Sequence, residues 1–335
     1  MSFLDAFCCL GAVFLGWSLG RNNLSNLFGS AIGTRMISLK MAVVVASLFV
    51  FLGVFVSGSA TTKHVNNLAQ IFSYKEAFFV CFSAGFVIYL LSMIGIPASI
   101  TQTSTGALIA VNIFNQLLID TKLVVKSFMG WIYTPFLSGA IAFILFWLFK
   151  YLLKRYPVKL LHRDMFIRIG LLIVGAFSAY ALGANNIASI AGPYISVNKD
   201  MTNILFSLTA LSVAVGFYSA DKRVIKTVSS GMFPLSPIEA FITIFASALT
   251  LFCFSSVTLK MILSGLSLPS FPLLPVPLSE AVIGSIVAIA LAKGIDGLKL
   301  KVVGQVVVSW IAAPLTAGFF CYMFLYLSKL IESVL

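Results

Sequence analysis

The sequence predicts an all-α polytopic membrane protein built of two repeated halves, with broken helices and re-entrant hairpins. Three observations carry this. First, 60% of the 335 residues are hydrophobic and only 10% are charged, against about 25% charged in soluble domains. A water-facing surface cannot be made from so few charges, which excludes a soluble enzyme, a disordered chain, a coiled coil and a secreted disulfide scaffold. Second, uncharged runs of the ~20 residues that a spanning helix needs recur along the chain. They are continuous, whereas a barrel would show alternating segments of ~10 residues. Third, short polar motifs return at a fixed offset between the halves.

The elements follow in order. A short apolar run, 6–20, stands behind Asp5, without the basic segment that opens a cleavable signal. Full-length runs follow at 41–62, 77–119, 127–149, 169–198, 201–220, 240–259 and 302–328. The run 77–119 is too long for one crossing. Its middle holds Gly95 and Pro97, then Ser99, Thr101, Gln102, Thr103, Ser104, Thr105 and Gly106. That pattern predicts a helix, a break and a second short helix. Residues 261–292 behave alike, with Pro269, Pro272, Pro275 and Pro277, then Ser279 and Glu280. Irregular backbone at membrane depth survives only where protein or water satisfies it, so both breaks point to a cavity.

The most basic segment, 150–168, carries Lys150, Lys154, Arg155, Lys159, Arg163 and Arg168 against Asp164. By the positive-inside rule it is cytoplasmic. The organisation is then a first transmembrane repeat (1–149), a basic cytoplasmic linker (150–168) and a second transmembrane repeat (169–335), in a plasma or bacterial inner membrane. The net charge of +12 sits at the ends of apolar runs. It is read as orientation rather than nucleic-acid binding. The five cysteines lie in apolar stretches without metal spacing and are read as small packed hydrophobes. His64 and His162 are too few for a histidine metal site or proton relay.

At an offset of 163, Leu19-Gly20-Arg21-Asn22-Asn23 matches Leu182-Gly183-Ala184-Asn185-Asn186. Lys63 falls on Lys226, Val65 on Val228, and Glu76-Ala77-Phe78 on Glu239-Ala240-Phe241. After small gaps Pro97 and Gly106 fall near Pro275 and Gly284, and Trp131 and Pro135 match Trp310 and Pro314. Duplicated halves with paired broken helices are the architecture of secondary transporters, whose site lies near the midplane at the repeat interface. An inverted arrangement is favoured. Five crossings per half would invert the second half and four would not.

Adjacent amides in a membrane helix are costly without partners. The reading of Asn22-Asn23 and Asn185-Asn186 is that glycine lets each helix open there, and that the next helix presents free N–H groups and a positive dipole end to an anion. Interhelical polar glue is the alternative. Ser99, Thr101, Gln102 and Thr103 near one proline break, and Ser279 and Glu280 near the other, can replace the water shell of a small anion. Back-bonding of the hydroxyls to their own helix is the alternative there. Arg21 adds positive charge beside the first amide pair, and Glu280 is a candidate proton carrier. For both, the alternative is a place at the membrane surface.

These motifs resemble the inorganic phosphate transporter family of phosphate and sulfate permeases. That family carries Gly-Ala-Asn-Asp near the start of each half and a Pro-x-Ser-Thr-Thr-His-type hairpin in each. Gly20 to Asn23, Gly183 to Asn186, Pro97 to Gln102 and Pro275 to Glu280 occupy those places, and Arg223 to Val228 looks like the family's second half. The resemblance implies symport of phosphate or sulfate with H+ or Na+ and no cofactor. It also admits a homodimer. Asn23 and Asn186 stand where the family has aspartate, Arg21 where it has alanine, Gln102 and Glu280 where it has histidine, and Pro277 where it has serine. Coupling therefore falls to Glu280, Asn23 and Asn186. Na+ near Asn23 and Asn186 is a candidate weakened by the missing carboxylates, since hard cations favour carboxylate oxygen. Amides also accept sulfate, which carries no proton for a carboxylate to bind. A passive anion channel fits the paired breaks less well. A membrane-embedded enzyme would need a carboxylate cluster or an activated nucleophile, and the ten acids are scattered.

Overall fold

The computed structural model describes residues 3–156 and 160–334. Every regular element among them is helical. The first half comprises α1 (Phe3–Cys8), α2 (Leu10–Gly33), α3 (Leu39–Ser57), α4 (Thr62–Leu68), α5 (Tyr74–Met93), α6 (Ile100–Phe114) and α7 (Thr121–Arg155). The second comprises α8 (Leu160–Asn186), α9 (Ala188–Val197), α10 (Thr202–Tyr218), α11 (Lys222–Lys226), α12 (Pro237–Ser255), α13 (Val257–Gly265), α14 (Leu278–Lys293) and α15 (Leu300–Val334). A π-helical turn, Thr227–Gly231, continues α11. Among the described residues, seven helical stretches are long and apolar enough to cross a membrane. Each overlaps one of the seven apolar runs read from the sequence. The protein is an integral, multi-pass membrane protein.

Both expected breaks are present. The run 77–119 divides into α5 and α6, and 261–292 divides around an extended stretch that ends where α14 begins. The basic segment 150–168 is largely helical: Lys150 to Arg155 finish α7, and α8 is under way from Leu160. Lys159 lies outside the described residues.

The halves interlock through reciprocal pairs. α3 lies along α8, and α10 along α2. α6 packs on α15, and α14 on α7. Close approach in each pair needs a glycine, because an added Cβ would overlap carbonyl backbone of the partner. Gly20 meets Val213, Gly183 meets Val50, Gly106 meets Pro314 and Gly284 meets Pro135. This corrects one expectation. Gly20 does not open its helix, while in the second half α8 ends at Asn186, three residues after Gly183. α2 runs unbroken through Asn22 and Asn23, and at Ile187 the chain passes from α8 to α9 with helical backbone angles (φ −61°, ψ −31°). There the amides Ile190 N and Ala191 N still donate to Ile187 O, at 3.0 and 2.9 Å. The glycines serve helix packing; no helix starts beside Asn22-Asn23, whereas α9 starts at Ala188, just after Asn185-Asn186, with no side-chain cap.

The repeated Glu-Ala-Phe has a physical reason. Ser73 and Ser236 cap α5 and α12, accepting from the N–H groups of Glu76 and Glu239. The two carboxylates then tie down the far ends of the hairpin helices. Asn115 Nδ2 donates to Glu76 Oε1 at 3.0 Å, and Lys293 Nζ pairs with Glu239 Oε1 at 2.9 Å.

Candidate functional site

Each hairpin turns at its proline and is held there by the first asparagine of its own half. At the first, Gly95 takes φ +78°, a left-handed angle that suits glycine. Asn22 Nδ2 donates to Ile96 O at 3.2 Å and to Ser92 Oγ at 2.7 Å, while its Oδ1 accepts from Ala98 N at 2.9 Å. Around Pro275 the same clamp recurs. Asn185 Nδ2 donates to Leu274 O at 3.2 Å and its Oδ1 accepts from Val276 N at 2.7 Å. An extended chain in the interior must find partners for its peptide groups. One carboxamide supplies both a donor and an acceptor, which no carboxylate can do. Asn22 and Asn185 thus position the hairpins, and their amides are committed.

The hairpin helices then start differently. Ser99 caps α6, accepting from Gln102 N at 3.3 Å and sharing a hydrogen bond with Thr101 Oγ1 at 2.9 Å. Pro277 holds the same place before α14 and supplies no side-chain cap. The first N–H groups of α14 are left for another acceptor. The two tips meet: Gln102 Nε2 donates to Glu280 Oε1, and both side chains are buried. These residues occupy matched positions in the two halves.

On the hairpin helices and beside the amide motifs, several buried polar atoms stand without protein partners. They are Glu280 Oε2, Ser279 Oγ, Ser104 Oγ, Asn186 Oδ1 and Asn26 Oδ1. Each such atom costs ~1–3 kcal/mol if nothing ever satisfies it. These five, of eleven such atoms among the described residues, lie on the hairpin helices or within one turn of the amide motifs, which makes these elements the candidate ligand site. Asn23 Oδ1 accepts from Asn26 Nδ2 at 2.8 Å. Asn26 escaped the sequence reading. Its signal was present as a third amide one turn beyond Asn23, falling on Ser189 at the 163-residue offset.

Two predicted residues are engaged elsewhere. Thr103 Oγ1 donates to Ser99 O and Ile100 O of its own helix, at 3.1 and 3.2 Å, the back-bonding alternative. Arg21 pairs with Asp221 at 2.9 Å, its guanidinium also lying 5.5 Å from the Trp17 ring centre and 5.4 Å from that of Tyr89. Asp221 binds Arg223 as well, at 2.9 Å. Hydrogen bonding from Arg223 first, then from the Arg223 amide and Arg21, holds the Asp221 carboxyl at about 2 against burial acting the other way. The charge of Arg21 is balanced there by a carboxylate 200 residues away.

Among the described residues, no group of three or more His, Cys, Asp and Glu could hold a metal ion. The donor set is neutral hydroxyls, amides and peptide N–H groups with one carboxyl, which suits an anion or a proton-bearing ligand. A far larger crevice, about 880 Å3, is walled by apolar residues such as Phe128, Trp131, Trp310 and Phe319, with Gln102 and Glu280 also on its lining. Its walls suit hydrocarbon rather than a hydrated ion.

Residues 19–265 match the model of the "Phosphate transporter family". The chain is 25% identical over 306 residues to the "Putative phosphate permease" of Methanocaldococcus jannaschii, covering 91% of each. It is 24% identical over 317 residues to the "Sulfate permease CysP" of Bacillus subtilis, covering 93% of this chain and 84% of that one. A solved structure titled "The sodium-dependent phosphate transporter" has the same fold, with a TM-score of 0.80 at 17% identity, covering 98% of this chain and 100% of that one.

Proposed function

The chain belongs to the phosphate transporter family, and from that premise we propose that it is a secondary active symporter of inorganic phosphate or sulfate, driven by H+ or Na+. The observation that carries the reading is the set of unpartnered buried atoms on the α6 and α14 hairpins and the amide motifs. The anion sits at the start of α14, taking hydrogen bonds from the uncapped N–H groups and from Ser279. Ser99, Thr101 and Gln102 approach from the other hairpin. Asn23, Asn26 and Asn186 complete the site, with Asn22 and Asn185 as its supports.

Glu280 gives the coupling a physical form. Ionised, its free oxygen repels an oxyanion. Protonated, that oxygen becomes an O–H donor to the same anion. Proton and anion therefore each favour the binding of the other, which is a coupling free energy. The carbonyls of Asn26 and Asn186 are the places for Na+, but neutral oxygens hold a hard cation less well than carboxylates. On this ground H+ is the stronger candidate. A second reading, sulfate rather than phosphate, is favoured by the amides in the motif positions. An amide can turn its NH2 toward an oxyanion that has no proton to give.

Inverted halves are supported by packing direction. Along α2, Gly16 faces Ser212 and Gly20 faces Val213 and Gly216, so α2 and α10 run the same way. α3 returns from α2 through the short turn 34–38 and is the counterpart of α10, so the counterparts run oppositely.

Uptake of labelled phosphate and sulfate into liposomes under imposed H+ or Na+ gradients tests the proposal. Accumulation that ignores both gradients would rule out symport. Failure of unlabelled sulfate to compete would remove the amide argument.

A further inference from the structure

His64, set aside in the sequence, stands at a pocket of its own. Its Nε2–H donates to Ser127 Oγ at 2.9 Å, because the single hydroxyl proton of Ser127 goes to Leu123 O at 3.1 Å. Both side chains are buried. The bond ties α4 to α7. His64, Ser104, Thr105, Ser127, Ser189 and Pro275 line one side of a pocket of about 10 Å3 that Val65, Leu68 and Leu108 complete, room for about one water. Ser104 Oγ, in that wall, is 1% exposed as a residue and has no partner. Pro275 and α6 join the pocket to the hairpins, so it lies between the proposed anion site and the α4 face.

The other half offers a comparison. In the register that sets Lys63 on Lys226 and Trp131 on Trp310, His64 falls on Thr227 and Ser127 on Val306. Thr227 and Val306 also line one pocket, together with Lys226 and the Gly95–Ile96 bend of the first hairpin, and this one holds about 190 Å3. Valine has no polar atom to form the tie. The pocket spanned by the His64–Ser127 hydrogen bond is the smaller of the two, and its counterpart has no side-chain pair at those positions that could form the same bond.

We infer that the small pocket is a second, transit site for a tetrahedral oxyanion, occluded here by the His64–Ser127 hydrogen bond. When the bond opens, His64 Nε2–H and the hydroxyls of Ser104, Thr105 and Ser189 converge on the space left. The identity of the ligand rests on the transport reading, while the latch does not.

The test places a reporter thiol in the pocket, Ser189→Cys, and follows its modification by a small charged thiol reagent in proteoliposomes. The protein's own five cysteines, all free, set the background. Adding Ser127→Ala should speed modification about tenfold, the shift expected when a ~1.4 kcal/mol hydrogen bond is lost. His64→Gln retains an N–H donor and should leave the rate near the parent value. Saturating phosphate or sulfate should slow modification of the opened variant. An unchanged rate in both Ser127→Ala and His64→Ala, each shown folded by thermal unfolding, would overturn the latch. A raised rate that neither anion slows would overturn the site. Loss of all phosphate and sulfate uptake in the parent would instead remove the transport reading, with the latch still measured.

Discussion

Replacing Asn22 by alanine takes away three hydrogen bonds at once. Ser92 Oγ keeps a partner, since it donates to Ile88 O at 2.8 Å. The N–H of Ala98 and the carbonyl of Ile96 do not. Two peptide groups left dry at ~1–3 kcal/mol each make a loss of roughly 2–6 kcal/mol. Asn23→Ala removes one bond and leaves one buried side-chain N–H, that of Asn26, unpaired, for a loss of roughly 1–3 kcal/mol. The neighbours should therefore separate the two roles. Asn22→Ala should lower the thermal midpoint of the detergent-solubilised protein about twice as far as Asn23→Ala does, while Asn23→Ala loses uptake. Asn185→Ala should follow Asn22→Ala, through the peptide groups of Leu274 and Val276. Fluorescence-monitored unfolding beside liposome uptake reads both quantities. Equal thermal midpoints for Asn22→Ala and Asn23→Ala would refute the clamp. A stable, fully active Asn23→Ala would refute its place at the ligand.

Glu280→Gln keeps an acceptor for Gln102 but removes the titratable proton. Proton-driven uptake should fall while anion exchange persists, and unchanged pH-dependent uptake would take Glu280 out of the mechanism. Gly106→Ala and Gly284→Ala should each disrupt the helix pairs by forcing a Cβ against Pro314 or Pro135. Gly304→Ala, where nothing lies within 4 Å, should stabilise α15 by up to ~1 kcal/mol; a loss of stability there would contradict the packing. Asp221 titrates at about 2 in the folded chain against an ordinary value of 3.8. Its contribution is complete above the higher value and is lost as pH falls through the lower one. The stability gap between the parent and Asp221→Asn should thus be full at neutral pH, shrink below about pH 4 and close below about pH 2, and a gap constant through that range would refute the assignment.

The breaks were legible because proline forbids the helix that the surrounding apolar residues would otherwise form. The interlocking was foreshadowed by glycines, tryptophans and prolines returning in register. The roles of the amides were not legible. An asparagine pair in a membrane helix must find partners, but composition does not say whether those are a ligand, a neighbouring helix or, as for Asn22 and Asn185, the peptide groups of a hairpin more than 70 residues away. Arg21 misled for the same reason, since its carboxylate lies far along the chain. His64 was passed over because one histidine says little until Ser127 and Ser104 are brought beside it.

The contact between Gln102 and Glu280 shows why the two hairpins carry different side chains where their tips meet. Identical acids there would confront each other charge to charge, and identical amides would leave no proton to exchange. A carboxamide facing a carboxyl avoids both outcomes: one hydrogen bond joins the two hairpin tips, and a single titratable proton remains between them.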